Sequence, residues 1–325
     1  MIISMVGKSK CLSHLAYARR KTLAFLLIVA LSAPSVWADE AETGLRRKLA
    51  WQIALEAVGF SPGIIDGAIG PKTRLATREF QRVRGLKQTG QLDSPTAKTL
   101  QVDPDNVLRR YRIELLHLKE IGPAPTSWLA RSKLSRLGHR NLEDVLAEQY
   151  HCSRGLLRRL NPGLTINDLK VGDAFIALQV TRPARPLPAR VIEINLSEQI
   201  IRVIDRDRKL VGLFHCSIAA SRAKRPTGQA RITRIVLNPE YTFQPQMWPE
   251  VTEKIDRPLR IPPGPRNPVG RCWIALSLPG YGIHGTPNPE LIGKTGSHGC
   301  FRMTNWDALR LSRMVLIDTD VRFVE

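Results

Sequence analysis

The chain has 325 residues, which predicts about two or three domains. Its composition, 43% hydrophobic and 24% charged, excludes a collagenous, disordered or polytopic membrane protein, and five cysteines are too few for a disulfide-stapled scaffold. The formal net charge of +20 suits nucleic acid, anionic membrane surfaces or acidic polymers and does not choose between them.

The first 38 residues predict a secretory signal peptide. Basic and no acidic side chains precede an apolar run from Leu23 to Leu31, and Val36-Trp37-Ala38 carries small residues before a cleavage site. The run is shorter than the roughly 20 residues that span a bilayer. We expect cleavage after Ala38 and an exported protein of the periplasm or cell wall, with no integral membrane span and no nucleic-acid partner. An uncleaved anchor and a twin-arginine signal are the alternatives.

Residues 45–102 predict a small domain of three helices. Apolar residues at spacing four begin at Leu45 and stop before Gly59, which indicates the first helix. Pro71 opens the second helix, and Ser94-Pro95-Thr96 opens the third. The segment resembles the bacterial peptidoglycan-binding domain, which implies binding to wall glycan or peptide. The resemblance rests on Gly59-Phe60, Asp66-Gly67, Gly70-Pro71-Lys72-Thr73, Phe80-Gln81 and Gly90.

Two further segments precede the second half of the chain. Residues 104–125 predict one helix with a proline-broken end, and residues 126–180 predict an α+β module. In that module an apolar stripe over 142–150 indicates one helix, and Ser153 can cap another.

The end of this module carries a second resemblance. Asn161-Pro162-Gly163 stops the second helix, and Val171-Gly172-Asp173 leads into a strand at 174–180. The order of elements over 126–180 is similar to a LysM glycan-binding module. The usual opening Gly-Asp-Thr of that family is absent, and His139-Arg140-Asn141 stands near its place.

A domain boundary is predicted at residues 181–189, where three prolines favour an extended, semi-rigid linker. Residues 190–325 then change character. Short β-rich runs, with Ser197-Glu198 as a hairpin connection, predict a mostly-β domain that folds independently from about residue 189 onward. The proline-rich loop 257–268 cannot join a sheet interior and is expected to overhang another part of the fold.

The side chains between Ile283 and Arg302 suit nucleophilic catalysis. Cys300 is a candidate nucleophile, which needs a nearby base or a positive environment to become a thiolate. His284 and His298 are candidate bases. A buried structural thiol, or a zinc site made by these three residues, are readings that the residue types alone leave open.

A helix is predicted to begin just after the candidate nucleophile, because Thr304 to Asp307 fits a capping box. The dipole of that helix and Arg302 would both favour the thiolate. The backbone amides of Gly299 and Cys300 could form an oxyanion hole at the preceding turn.

The whole string resembles the catalytic signature of the L,D-transpeptidases. It reads His284-Gly285-Thr286, then Ser297-His298-Gly299-Cys300 with Arg302, and Arg225-Pro226-Thr227-Gly228 resembles the Pro-Thr-Gly turn of that family. The resemblance covers about residues 189–325. It implies a β-rich catalytic fold that needs no metal and no organic cofactor and acts on peptidoglycan stem peptides.

The resemblance also implies a role for each matched residue. Cys300 would attack the third residue of a stem peptide and release D-Ala, with His284 as the proton donor and acceptor. Arg302 would hold a substrate carboxylate, the Gly285 carbonyl would orient His284, and Gly299 and His298 would shape the site.

The acceptor of the acyl group stays open. A second stem peptide would give a 3→3 cross-link, a lipoprotein lysine would give lipoprotein attachment, and water would make an L,D-carboxypeptidase. A wall-binding protein with an inactive catalytic domain is the rival from another class.

Besides Cys11 in the predicted leader, three cysteines lie outside the motif. Cys152, Cys216 and Cys272 are expected to be free buried thiols, with a disulfide between Cys216 and Cys272 as the alternative.

Overall fold

The computed structural model describes residues 36–180, 188–248 and 251–325. The predicted signal peptide (1–38) and the predicted linker (181–189) lie outside these residues, except for 36–38 and 188–189. Across the described ranges, no helix has both the length and the apolar character that crossing a membrane requires.

The N-terminal region consists of the three helices that the sequence predicts. Pro71 stands in the first turn of its helix, where a missing N–H leaves no bond unmade. The Asp93 side chain caps the third helix by accepting from the Thr96 amide. The Trp51 indole donates to Thr77 Oγ1 at 3.0 Å and ties the first two helices together. The helices are α1 (Val36–Ala57), α2 (Pro71–Val83) and α3 (Ser94–Leu100).

A unit of two paired strands with four short helices between them follows, and it corrects the predicted single helix over 104–125. We call it the β1–β2 unit. Residues 108–112 are a strand that pairs antiparallel with 174–178, in a register that sets Leu108 opposite Leu178. A five-residue helix begins only at Leu115. The unit contains β1 (Leu108–Arg112), α4 (Leu115–Lys119), α5 (Trp128–Ser132), α6 (Leu142–Gln149), α7 (Arg154–Leu160) and β2 (Ala174–Leu178).

The C-terminal region is mostly β, as the sequence predicts. Its main sheet has eight strands around a buried apolar core. The strands are β3 (Val191–Asn195), β4 (Ile200–Ile204), β5 (Leu210–His215), β6 (Gln229–Leu237), β9 (Cys272–Leu276), β10 (Gly282–His284), β11 (Phe301–Arg302) and β12 (Asp320–Val324). Across the sheet they lie in the order β11-β10-β9-β6-β12-β3-β4-β5. Helix α8 (Asn305–Ser312) packs against β9 and β10, capped by Thr304 as predicted.

The segment of chain that connects β6 to β9 forms a small separate sheet. Strands β7 (Tyr241–Phe243) and β8 (Leu259–Ile261) pair antiparallel, so part of the proline-rich loop is a short strand of a two-stranded sheet. We call the described residues of 241–261 the flap. Trp128 of α5 stacks on Phe243 of the flap, with ring centroids 4.1 Å apart. The flap residue Glu253 in turn accepts hydrogen bonds from Ser127 Oγ and the Trp128 amide.

The N-terminal helices and the main sheet share one apolar core. Phe60 lies beside Leu213 of β5 in an isolated bridge, and Leu55 belongs to the same buried cluster. The Ser61 amide donates to the Leu213 carbonyl at 2.8 Å. Gly59 has φ +102°, and a Cβ there would lie 2.7 Å from the Val211 carbonyl oxygen, so this approach requires glycine.

The shared core changes the expectation that residues 189–325 fold independently. Alone, this fragment would expose Leu213 and Phe243, which are fully buried in the chain. Burying such a side chain stabilises by about 1.5–3 kcal/mol. We therefore expect the fragment to aggregate, or to melt at least about 5 °C below a fragment of residues 42–325. Thermal unfolding followed by tryptophan fluorescence checks this, and equal melting temperatures would restore the independent domain.

Among the described residues, the three cysteines outside the motif, Cys152, Cys216 and Cys272, are free and buried. The alternative disulfide between Cys216 and Cys272 is therefore not formed. Burial raises the pKa of Cys152 and of Cys216 to about 12 and that of Cys272 to about 11. All three are therefore protonated, weakly reactive thiols at neutral pH.

Candidate active site

Two short parallel strands bring the motif residues together. The register of β10 and β11 sets His284 opposite Arg302. Side chains at matched positions of neighbouring strands point to the same face, and so do residues two apart along one strand. Cys300 comes directly before β11, two residues from Arg302.

The His284 imidazole is buried, held and neutral. It is 5% exposed, and its Nδ1–H donates to the Gly285 carbonyl at 2.6 Å. Its ring stacks on Trp273 of β9, with centroids 5.6 Å apart. Burial lowers the pKa of His284 to about 4, and the nearby Arg302 guanidinium acts in the same direction. With Nδ1 as the donor, Nε2 is the unprotonated nitrogen and can accept a proton.

The Cys300 thiol is half-buried and lies near the turn before β10. Its Sγ donates to the Gly280 carbonyl at 3.5 Å. Burial raises the pKa of the thiol, while the Gly282 amide and the Arg302 guanidinium lower it by smaller amounts. The net direction is upward, opposite to the sequence expectation, because loss of water outweighs the positive neighbours. The proton must therefore leave the thiol during the reaction.

The loop before β11 is closed by Ser297. Its hydroxyl donates to the Cys300 carbonyl at 2.5 Å and accepts from the Gly299 amide at 3.2 Å. The amide of Gly299, one of the two predicted oxyanion donors, is thus already used inside the loop. The loop presents Cys300 in a fixed turn.

The Arg302 guanidinium is fixed by backbone carbonyls. Its Nη2 donates to the Thr295 carbonyl at 3.1 Å and also to the Gly296 carbonyl. Burial lowers the pKa of Arg302, and the Cys300 thiolate opposes that change. Within the described residues its Nε is buried without a hydrogen-bond partner.

The flap contributes two aromatic residues that the sequence analysis did not single out. Trp248 lies against the ring of His298, with centroids 4.5 Å apart, and donates its indole N–H to the Tyr241 hydroxyl at 3.1 Å. Burial raises the pKa of Tyr241, and the nearby Cys300 adds to that effect. His298 is therefore engaged with the flap. No local sequence signal marks Trp248, because its partner His298 lies far away in the sequence and only the fold brings the two rings together.

Behind the site, Asn305 connects the motif to the preceding unit. Its Oδ1 accepts from the Arg271 amide at 3.1 Å, and its Nδ2 donates to Glu148 of α6 at 2.8 Å. A Cβ on Gly285 would lie 2.3 Å from this Oδ1, so the residue that follows His284 must be glycine. Among the side chains that the structure describes, no three ligating groups converge into a metal site, and His284, His298 and Cys300 do not form one.

Known proteins share these features. The family "L,D-transpeptidase catalytic domain" matches residues 189–323, and the family "Putative peptidoglycan binding domain" matches residues 49–100. The chain is 30% identical over 174 residues to "Putative L,D-transpeptidase YkuD" of Bacillus licheniformis, an alignment that covers 54% of this chain and 87% of that protein. A protein of the same name from Bacillus subtilis is 51% identical over 51 residues, which cover 16% of this chain and 31% of that protein.

The crystal structure of an L,D-transpeptidase from Xylanimonas cellulosilytica covers 85% of this chain and 91% of its own, at 17% identity and a TM-score of 0.35.

Proposed function

Because the chain belongs to the L,D-transpeptidase family, we propose that Cys300 is the nucleophile of this enzyme and that peptidoglycan stem peptides are its substrate. The observation that supports the assignment most strongly is the pairing of β10 with β11, which sets His284 opposite Arg302, two residues after Cys300. The Cys300 thiol attacks the carbonyl of the third stem residue, the bond to D-Ala breaks, and a thioester forms. An amine of a second stem peptide then displaces Cys300 and leaves a 3→3 cross-link.

His284 moves the proton in both halves of the reaction. Its Nε2 takes the Sγ proton as Cys300 attacks and passes it to the leaving amine of D-Ala. The same nitrogen then takes a proton from the incoming amine. The hydrogen bond from Nδ1 to Gly285 and the stacking on Trp273 support this role, because they fix the tautomer and the ring plane.

Two groups of the protein bind negative charge on the substrate, one at the reacting carbonyl and one at a carboxylate. We assign the developing oxyanion to the Cys300 amide, because the Gly299 amide is engaged by Ser297. Gly299 and His298 then shape the site, the first in the turn and the second against Trp248. The Arg302 side chain lines a cavity of the protein, and this supports its role in holding a substrate carboxylate.

The remaining parts of the chain bring the enzyme to its polymer. We assign residues 45–102 to peptidoglycan binding, which the family match over 49–100 supports. Helices α6 and α7, followed by β2 in its pairing with β1, support a LysM-like module whose first strand lies before residue 126, with the short helices α4 and α5 inserted after that strand. Peptidoglycan-related domains act outside the cytoplasm, so we propose export through the leader 1–38, to the periplasm or cell wall.

Incubation with disaccharide-tetrapeptide fragments of peptidoglycan tests the proposed reaction. We expect mass spectrometry to show loss of D-Ala and appearance of dimers joined 3→3. Tripeptide products without dimers would assign water as the acceptor and a carboxypeptidase activity. A lipoprotein-derived lysine peptide, added as a competing amine, reports lipoprotein attachment in the same reaction. Intact tetrapeptides after long incubation would support the non-catalytic binding protein instead.

A further inference from the structure

A cavity of about 460 Å³ lies where the β1–β2 unit, residues 108–178, meets the β-rich domain. One wall comes from the segment around α5, with Trp128 and Arg131. The other comes from the β-rich domain, with Trp248, Arg266 and the active-site residue Arg302. The volume lies in the range of small-ligand sites, about 300–1,000 Å³. The cavity therefore extends the active site onto residues that precede the catalytic domain.

The lining of this cavity carries an excess of positive charge. Its five arginines face three carboxylates, and the carboxylates are already paired. Asp144 is held by Arg140 at 2.7 Å and by Arg154 at 2.8 Å. The other two carboxylates, Glu148 and Glu290, bind Arg271 at 2.7 Å and Arg154 at 3.5 Å. The five are Arg131, Arg140, Arg154, Arg266 and Arg302.

Three of these arginines, Arg131, Arg266 and Arg302, have no carboxylate partner at ion-pair distance within the described part of the chain. Arg266 donates to the Pro123 carbonyl at 3.1 Å, and Arg131 donates to the Pro125 carbonyl at 3.1 Å while lying over the Trp128 ring. Burial lowers the pKa of Arg266, and repulsion from Arg131 and Arg140 lowers it further. Half-buried cations that repel one another make a site that favours an anion.

We propose that this cavity binds the free carboxylates of a peptidoglycan stem peptide, with Arg131 and Arg266 as the residues that hold them. The inference rests on the proposed function, since the ligand is the substrate of Cys300. A stem peptide reaches the cavity because Arg302 lines it and stands two residues from the nucleophile. Each planar guanidinium can hold a carboxylate through two parallel hydrogen bonds. Residues 124–154 thus form part of the substrate site and do more than tether the enzyme.

The test uses the full chain carrying Cys300→Ala, so that binding is measured without turnover. Calorimetry with a synthetic stem tetrapeptide is expected to show about tenfold weaker binding when Arg266→Gln or Arg131→Gln is added, because one charged contact is lost. Arg266→Lys should recover part of the affinity. The matched control is Arg234→Gln on β6, an exposed position outside the cavity, which should bind like the parent. Unchanged melting temperatures establish that each variant is folded.

A second peptide, with its carboxylates amidated, completes the cycle. The inference predicts that it binds the Arg266→Gln and parent proteins equally. Equal binding of the acidic peptide to both proteins would overturn the inference, as would tighter binding of poly(glycerol phosphate) than of the peptide. Neither outcome touches the proposed function, which is tested separately by acylation of Cys300 in the unsubstituted protein.

Discussion

The Cys300→Ala variant is expected to lose D-Ala release and cross-linking by a factor on the order of 10⁶, the usual effect of removing a covalent nucleophile. The substitution removes a half-buried sulfur at a turn and no apolar core contact. Folding and sedimentation with insoluble peptidoglycan should therefore be preserved. Mass-spectrometric assay of tetrapeptide turnover measures the first effect, and a pull-down with purified wall material measures the second.

Cys216→Ala is the matched control for this experiment. Its thiol is fully buried in the core of the β-rich domain and outside the motif. The control should keep most of the activity. A Cys300→Ala protein that still released D-Ala at the parental rate would remove Cys300 from the mechanism. Loss of wall binding together with activity would show that the substitution disturbs the fold.

The second large effect is expected for His284→Ala, which should slow acylation of Cys300 by about 10²–10⁴-fold, the usual contribution of a general base. The loss is large here because burial raises the pKa of the thiol, so little thiolate forms without a base. Stopped-flow acylation with a chromogenic β-lactam measures the rate.

The pH dependence follows from the two pKa shifts. His284, with its pKa lowered to about 4, stays neutral from pH 5 to 9 and loses its function as a base only as the pH falls toward 4. Because burial raises the pKa of Cys300, the thiol stays protonated and neutral His284 must take its proton, so the acylation rate of the parent should change little across the same range. In His284→Ala the rate should follow the thiolate fraction alone and remain far below the parent at pH 7.

His298 provides the comparison between the two histidines. Its ring lies against Trp248, so His298→Lys keeps a donor at the edge of the site and should retain more activity than His284→Lys. If the substitution at position 298 is the more damaging across pH 5–9, then His298 is the base and His284 the auxiliary.

Local patterns predicted the elements whose signals lie within one segment. The three N-terminal helices follow from an apolar stripe, from Pro71 and from the Ser94-Pro95-Thr96 start, all of which act over a few residues. The cap at Thr304 and the glycine-flanked Cys300 are equally local.

Features that depend on distant partners were not predictable. Residues 108–112 form a strand because residues 174–178 offer them a partner, and no local signal reports that pairing. The Cys300 pKa depends on burial in the folded chain, so counting positive neighbours gave the wrong direction. The contact between Trp248 and His298, and the cavity that Arg131 and Arg266 share, arise between segments far apart in sequence.

The most direct measurement of the central role of Cys300 is the intact mass of the protein after incubation with a carbapenem, followed by peptide mapping of the adduct. A strained lactam should acylate an activated thiol, and the other described cysteines are buried with raised pKa values. We predict one adduct per chain, on Cys300, and none in the Cys300→Ala variant. A stable adduct on another cysteine, or no adduct with the folded protein, would contradict the assignment of Cys300 as the nucleophile.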